Sequence, residues 1–279
     1  MTILLDGKQV AAERKTRIQT QIAALAVRGA KPGLAIVLVG DDAASRIYTT
    51  RMAKLAETMG MAVFVKELPA GISQVELLNL ISALNADPAV QGILPMMPLP
   101  GHLDADQVAA HIQPAKDIDG LNPLTIGLVA AGKSLAAPCT PRAVIAILDH
   151  YHIELSGRRA VVIGRSNVVG KPLVHLLLAR NATVTVCHSK TQDLAAVVSQ
   201  GDIVIAAVGK VNLVQADMIK PGAVVIDVGI NEVDGKMVGD VDFERVSPIA
   251  SAITPVPGGV GAVTTTMVLE AVLQGMGHV

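Results

Sequence analysis

Arg159-Ala160-Val161-Val162-Ile163-Gly164-Arg165-Ser166-Asn167-Val168-Val169-Gly170-Lys171-Pro172 reads as a short aliphatic strand, a tight turn and the opening of a helix. Gly164 permits the turn, Gly170 lets the helix lie close to the sheet, and Pro172 has its φ preset for a first helical turn. A second strand follows on schedule at Thr183–Cys187. Residues from roughly 156 to 230 are therefore expected to form a Rossmann-type dinucleotide-binding unit, with a pyrophosphate seated on backbone N–H groups at the helix N-terminus. The middle glycine of G-x-G-x-x-G is absent, so the surrounding strands and helix carry this reading more than the glycines do.

NAD-binding units usually place an acid at the end of the second strand to hold the ribose hydroxyls. Here that stretch is Cys187-His188-Ser189-Lys190, with no carboxylate. Arg165, Ser189 and Lys190 could instead hold a 2′-phosphate, which favours NADP over NAD. His188 is more simply a partly exposed strand-end residue than a functional group.

Outward from this turn, aliphatic runs alternate with helix-like stretches, the pattern of βαβ units. Further strands are expected at Asp202–Val208 and Ala223–Val228, and in the first half at Leu34–Val39, Met61–Val65 and Val90–Leu94. Helices are expected over Ala43–Met59, Ser73–Asn85, about Asp104–Ile112, Pro141–His150 and about Thr264–Gln274; Ser73 and Glu76 have capping-box spacing. Between Gln113 and Pro141 the pattern lapses among prolines and glycines, as an interdomain crossing would. The string Gly127-Leu128-Val129-Ala130-Ala131-Gly132-Lys133-Ser134 matches a P-loop, yet no strand precedes it and Pro138 and Pro141 block a long helix after it, so triphosphate binding is not expected. Two α/β domains result: residues 1–122 with 262–279, and a Rossmann-type domain over 138–261.

With only four aromatic residues, the core must be aliphatic, as suits buried parallel strands. No apolar run is long enough to span a bilayer, and Met1–Lys15 has no secretory-type segment, so a cytoplasmic location is expected. A net charge of −1 argues against nucleic-acid or membrane-surface binding driven by charge. Cys139 and Cys187 are expected as reduced thiols; their separation has no metal-ligand spacing, and no metal is expected.

Four segments occur together: Lys116-Asp117-Ile118-Asp119-Gly120, Pro138-Cys139-Thr140-Pro141, Gly164-Arg165-Ser166 through Pro172, and Thr254-Pro255-Val256-Pro257-Gly258-Gly259-Val260-Gly261. In this order and spacing they resemble the methylenetetrahydrofolate dehydrogenase/methenyltetrahydrofolate cyclohydrolase family, over nearly the whole chain. The resemblance implies a folate cleft between an N-terminal domain, completed by the C-terminal helix, and an NADP domain through which homodimers form. It implies hydride transfer from 5,10-methylenetetrahydrofolate to the nicotinamide, followed in most members by hydrolysis of the methenyl product to 10-formyltetrahydrofolate. By position, Tyr48 corresponds to the folate-stacking tyrosine and Asp119 to the acid that holds the pterin. Leu99, Pro257, Gly258 and Gly259 fall beside the folate, and Ile230 beside the cofactor.

The chain departs from the family at two linked positions. The catalytic lysine one helical turn after the tyrosine is Met52, and its glutamine partner is Met96, within Pro95-Met96-Met97-Pro98. Hydride transfer needs positioning and tolerance of a developing cation, whereas hydrolysis needs water activated and a proton moved, which a thioether cannot do. Arg51 and Lys54 lie about 100° and 200° around the helix from Met52. A dehydrogenase with weak or absent cyclohydrolase activity is the resulting expectation. The family's Gly-Val-Gly-Pro-Met-Thr is here Gly261-Ala262-Val263-Thr264 after Gly259-Val260, and Pro95 stiffens the turn carrying Met96. Together with Met52 and Met96 these changes make the pocket more apolar and leave a modified folate or another one-carbon carrier open. The alternatives are a fully bifunctional enzyme, an NADP-dependent dehydrogenase of a non-folate substrate, and a non-catalytic folate or dinucleotide binder.

Overall fold

The computed structural model describes residues 2–133 and 137–277. In chain order its first elements are β1 (Ile3–Leu4), α1 (Gly7–Val27), β2 (Gly33–Val39), α2 (Ala43–Thr58), β3 (Ala62–Leu68), α3 (Gln74–Ala86), β4 (Gly92–Pro95), α4 (Ala105–His111) and α5 (Pro123–Ala130). There follow α6 (Cys139–His150), β5 (Arg159–Ile163), α7 (Gly170–Leu178), β6 (Thr183–Cys187), α8 (Leu194–Val198), β7 (Ile203–Ala206) and β8 (Val224–Asp227). The last are β9 (Asn231–Val233), β10 (Lys236–Val238), α9 (Phe243–Val246), β11 (Ala252–Ile253) and α10 (Val260–Gln274). The chain divides into two compact units, Arg14–Leu128 with Val268–Val279, and Met1–Glu13 with Val129–Met267.

The unit built on Arg14–Leu128 holds a parallel sheet in the order β3-β2-β4. Every residue of β2 is buried, which is why it reads as an unbroken aliphatic run. Ala35, Val37 and Val39 on one face pack with Leu77, Ile81 and Leu84 of α3 and Val108 of α4. The capping box forms as read, Ser73 Oγ accepting the Glu76 N–H and Glu76 accepting the Ser73 N–H. β3 runs to Leu68, past the expected end at Val65, because as an edge strand it tolerates the exposed Lys66 and Glu67 while pairing continues to Val39.

Part of the expected irregular crossing is a helix. Asn122 caps α5 by accepting the Leu124 N–H at 2.8 Å, and Pro123 opens it. Gly127 thus sits inside a helix with no strand before it, as the rejection of a P-loop requires; Ser134 lies outside the described residues.

The second unit carries a parallel sheet in the order β1-β11-β8-β7-β5-β6. The chain runs from β5 out to β6 and returns on the other side of β5 as β7, so the strand order reverses there, and the carboxyl ends of β5 and β7 are where a sheet of this kind offers a ligand crevice. Ile3 pairs with Ala252, placing the N-terminal residues in this sheet and not, as the division at 1–122 expects, with the first domain. Both cysteines are buried and neither is in a disulfide. Among the described residues no helix is long and apolar enough to cross a membrane.

Candidate active site

The crevice between β5 and β7 is shaped by backbone. Gly164 has φ +126°, and a Cβ there would overlap the Ala207 carbonyl oxygen. A Cβ at Gly170 would overlap the Gly164 carbonyl. The turn after β5 therefore lies directly against the loop after β7, and α7 lies directly against the turn. Arg165, Ser166 and Asn167 project from it and are exposed.

The pyrophosphate seat expected on backbone N–H groups at the N-terminus of α7 is not vacant. The N-terminal N–H groups of α7 are largely used within the turn: Ser166 Oγ accepts from Val169 at 3.1 Å and Gly170 at 3.4 Å, and Ser166 O accepts from Lys171 at 3.0 Å. Pro172 has no N–H, and Leu173 donates to Val169. A phosphate at this end would rely on the exposed side chains rather than on a row of vacant helix amides.

The Gly164 N–H donates to the Cys187 carbonyl, so the turn lies beside the end of β6. There Ser189 and Lys190 are exposed, and Arg165 is across the strand gap. His188 is committed to the local turn: its N–H donates to Thr191 Oγ1 at 2.8 Å and its Nδ1 accepts the Lys190 N–H at 3.1 Å. Burial pushes the Cys187 thiol above its ordinary range. Ile230 is exposed, with its side chain against Gly261 at the start of α10. A reversal in the strand order, glycines where backbone must approach, and exposed cations without a carboxylate at the end of β6 together fit a phosphorylated dinucleotide.

In the same unit, Gly258 has φ +106° and Gly259 packs so closely that a Cβ would meet the Pro255 carbonyl oxygen at 2.5 Å. Pro257 is exposed beside them. A Cβ at Gly7 would overlap the Gly259 carbonyl, so the first turn of α1 seats this loop.

The other unit holds Tyr48, Met52, Met96, Leu99 and Asp119. Asp42 caps α2 by accepting the Ser45 N–H at 2.8 Å, and Ser45, Thr49, Met52 and Ala56 form its buried face. Met52 is 2% exposed and Met96 8%; Tyr48 and Leu99 are half-buried. The Thr49 hydroxyl is buried without a hydrogen-bond partner. Arg51 and Lys54 are exposed, off the face that Met52 occupies.

Asp119 sits in a loop fixed from both sides. Lys116 Nζ donates to the carbonyl oxygens of Leu84, Asn85 and Asp87 at 2.7–3.0 Å, closing the C-terminus of α3. Asp117 accepts the Leu121 and Asn122 N–H groups at 3.2 and 2.8 Å. Burial raises the Asp117 carboxyl pKa, against these hydrogen bonds. Asp119 is pushed up to about 7, first by burial and then by the neighbouring Asp117. A carboxyl tuned this close to neutrality can both accept hydrogen bonds as a carboxylate and hold a proton.

Residues 5–119 match the catalytic domain of tetrahydrofolate dehydrogenase/cyclohydrolase, and residues 138–278 match its NAD(P)-binding domain. The bifunctional protein FolD of Halalkalibacterium halodurans is 47% identical, over 98% of this chain and 98% of that protein. Among solved structures, the bifunctional FolD methylenetetrahydrofolate dehydrogenase/cyclohydrolase of Campylobacter jejuni is 45% identical with a TM-score of 0.97, covering 99% of each chain. The Trypanosoma brucei methylenetetrahydrofolate dehydrogenase-cyclohydrolase, solved with NADP and an inhibitor, is 38% identical with a TM-score of 0.93, over 98% of this chain and 97% of that one. Matched in both halves and along its length, the chain belongs to the tetrahydrofolate dehydrogenase/cyclohydrolase family.

Proposed function

We propose that the chain oxidises 5,10-methylenetetrahydrofolate to 5,10-methenyltetrahydrofolate with NADP, and that its cyclohydrolase activity is weak or lost. The observation that carries this reading is the pair Met52 and Met96, both buried, at the positions where the family resemblance expects a lysine and a glutamine. Neither thioether can take or deliver a proton, and losing a proton-transfer group costs roughly 10²- to 10⁴-fold. The cations nearest to Met52 in sequence, Arg51 and Lys54, are exposed on other faces of α2. Hydride transfer is spared, because it depends on holding donor and acceptor in register.

In this reading Tyr48 stacks on the folate, Asp119 accepts hydrogen bonds from the pterin edge, and Leu99 with the Pro257-Gly258-Gly259 loop lies against the ligand. Arg165, Ser166, Ser189 and Lys190 hold the cofactor phosphates, with Ile230 against the cofactor and Gly164 and Gly170 giving it room. NADP, when bound, accepts the hydride. The absence of an acid after β6 supports NADP over NAD, as does the NADP-bound Trypanosoma brucei relative. The enzyme works as a cytoplasmic homodimer in one-carbon metabolism.

A fully bifunctional enzyme is the second reading, favoured by relatives of similar length that are named bifunctional. Progress curves with methylenetetrahydrofolate and NADP separate the two. On the first reading NADPH and the methenyl compound rise together, one for one, and the methenyl compound persists. On the second it passes promptly to 10-formyltetrahydrofolate.

A further inference from the structure

Two carboxylates stand outside the chemistry above. Asp227, at the end of β8, is 4% exposed, and Asp240, just before α9, is fully buried. Among the described residues neither is paired with a cation. Their partners are N–H groups of loops around the crevice. Asp240 Oδ2 accepts from Val208 at 2.7 Å and Gly209 at 3.0 Å. Its Oδ1 accepts from the Lys210 N–H at 2.8 Å and from Asn231 Nδ2 at 3.1 Å. Asp227 Oδ1 accepts from Gly229 at 2.9 Å and from the Asp240 N–H itself at 3.0 Å, while Oδ2 accepts from Val241 at 2.9 Å.

The fit is tight. A Cβ at Gly229 would overlap Asp240 Oδ1, and one at Gly239 would overlap Asp227 Oδ2. Asp227 also donates its own N–H to Thr254 Oγ1 at 2.7 Å, which ties the pair to the strand leading into the Pro257-Gly258-Gly259 loop. Burial pushes the Asp227 carboxyl up to about 6 despite its three N–H donors. Burying two carboxylates without a cation is costly, and here the cost is offset by the backbone they order.

The ordered backbone is the wall of the crevice. Val208–Lys210 follow Ala207, whose carbonyl lies under Gly164, and Gly229 and Asn231 flank Ile230. Side chains of Val208 and Lys210 are exposed while their N–H groups point inward to Asp240. We propose that Asp240, seated by Asp227, is a positioning residue that sets the backbone of Val208–Lys210 and Gly229–Asn231 for the dinucleotide before it arrives. The inference rests on the reading of this unit as the cofactor unit.

Asp240→Asn tests it, because the side chain keeps its shape while one oxygen becomes an N–H₂ group facing N–H donors. Two readouts are taken on the protein without folate: the Kd for NADP by titration, and hydrogen exchange of the Val208–Lys210 amides before NADP is added. The expected result is faster exchange at these amides and NADP binding weaker by about tenfold or more. In turnover, the KM for methylenetetrahydrofolate should stay within about threefold. Asn231→Ala, which leaves both carboxylates in place, should weaken NADP by about threefold, and it decides the matter if Asp240→Asn does not fold. A folded Asp240→Asn protein that binds NADP within about twofold of the parent overturns the proposal, whether or not its amides exchange faster. Failure of the unsubstituted protein to bind NADP or NAD removes the cofactor reading, and the proposal with it.

Discussion

The Ser45 hydroxyl donates to the Met97 carbonyl oxygen at 3.5 Å, joining the first turn of α2 to the proline turn that follows β4. Met52 lies on the same buried face of α2 as Ser45, and Met96 immediately precedes Met97. The Met96 N–H donates to the Val37 carbonyl at 2.8 Å, so the turn is also fixed to β2. The two positions at which the family resemblance expects a lysine and a glutamine are thus carried by elements bonded to one another.

A scaffold held this way should accept the family's residues. Met52→Lys with Met96→Gln is expected to raise methenyltetrahydrofolate hydrolysis by about 10²-fold or more, with NADP reduction changed far less. Burial at position 52 would lower the lysine pKa, which is the direction a general base needs. Single substitutions should recover much less, since the lysine and its partner act together. A double variant that folds, oxidises methylenetetrahydrofolate and still fails to hydrolyse would count against Met52 and Met96 as the cause.

On the proposed role of Asp119, substrate binding should depend on pH. With its pKa near 7, the carboxylate that accepts pterin hydrogen bonds is the minor form at pH 6 and the major form at pH 8. The KM for methylenetetrahydrofolate should fall as pH rises across this range, and Asp119→Asn should flatten the profile. The stability effect has the opposite sense. The folded state binds this proton more tightly than the unfolded chain does, so the group's contribution falls as pH rises from about 4 through 7. Asp119→Asn should therefore gain stability relative to the parent at pH 8 more than at pH 5, which denaturant titrations would read. A parallel pH dependence in both proteins would contradict the assignment.

Arg165 and Lys190 should set the cofactor preference. Replacing Arg165 with Ser removes one charge-assisted contact to a 2′-phosphate and should lower kcat/KM with NADP by about 10- to 100-fold. Activity with NAD, which lacks that phosphate, should change by no more than about threefold. Equal losses with both cofactors would place Arg165 at the pyrophosphate or in the fold instead.

Lys116→Met tests how the Asp119 loop is held. It leaves three carbonyl oxygens at the C-terminus of α3 without their shared donor. A loss of about 2 kcal/mol is expected, read as a lower unfolding midpoint in urea. The KM for folate should rise as well, because the same lysine fixes the segment that carries Asp119. An unchanged midpoint would show that water replaces the ammonium at no cost.

Much of this fold was legible from local pattern. The unbroken aliphatic run of β2, the Ser73 and Glu76 capping box and the Gly164 turn all involve residues near in sequence. β1 was not legible, because its two residues are a strand only by pairing with Ala252 and Ile253 at the far end of the chain. The β9–β10 hairpin has a local signal in Asp234-Gly235, which takes the left-handed conformations, φ 51° and 73°, that such a turn demands. α1 has one as well, since Ile18, Ile22 and Leu25 recur at helical spacing and are buried.

At the candidate site, residue identities could be read but their surroundings could not. Nothing local shows that Ser166 would consume the helix N–H groups, since Ser166 is as able to face a phosphate as to fold back. The pKa of Asp119 depends on burial and on Asp117, and the Asp227 and Asp240 pair depends on N–H groups from separate loops. These follow from tertiary packing, which periodicity and motif spacing do not encode.

On the proposed function, one of the family's two reactions has lost its proton-transfer group. This loss is tested most directly by adding methenyltetrahydrofolate to the purified protein and following its hydrolysis against buffer alone, using enzyme shown to reduce NADP with methylenetetrahydrofolate. Hydrolysis close to the buffer rate is expected in protein that is an active dehydrogenase. Hydrolysis far above that rate would contradict it.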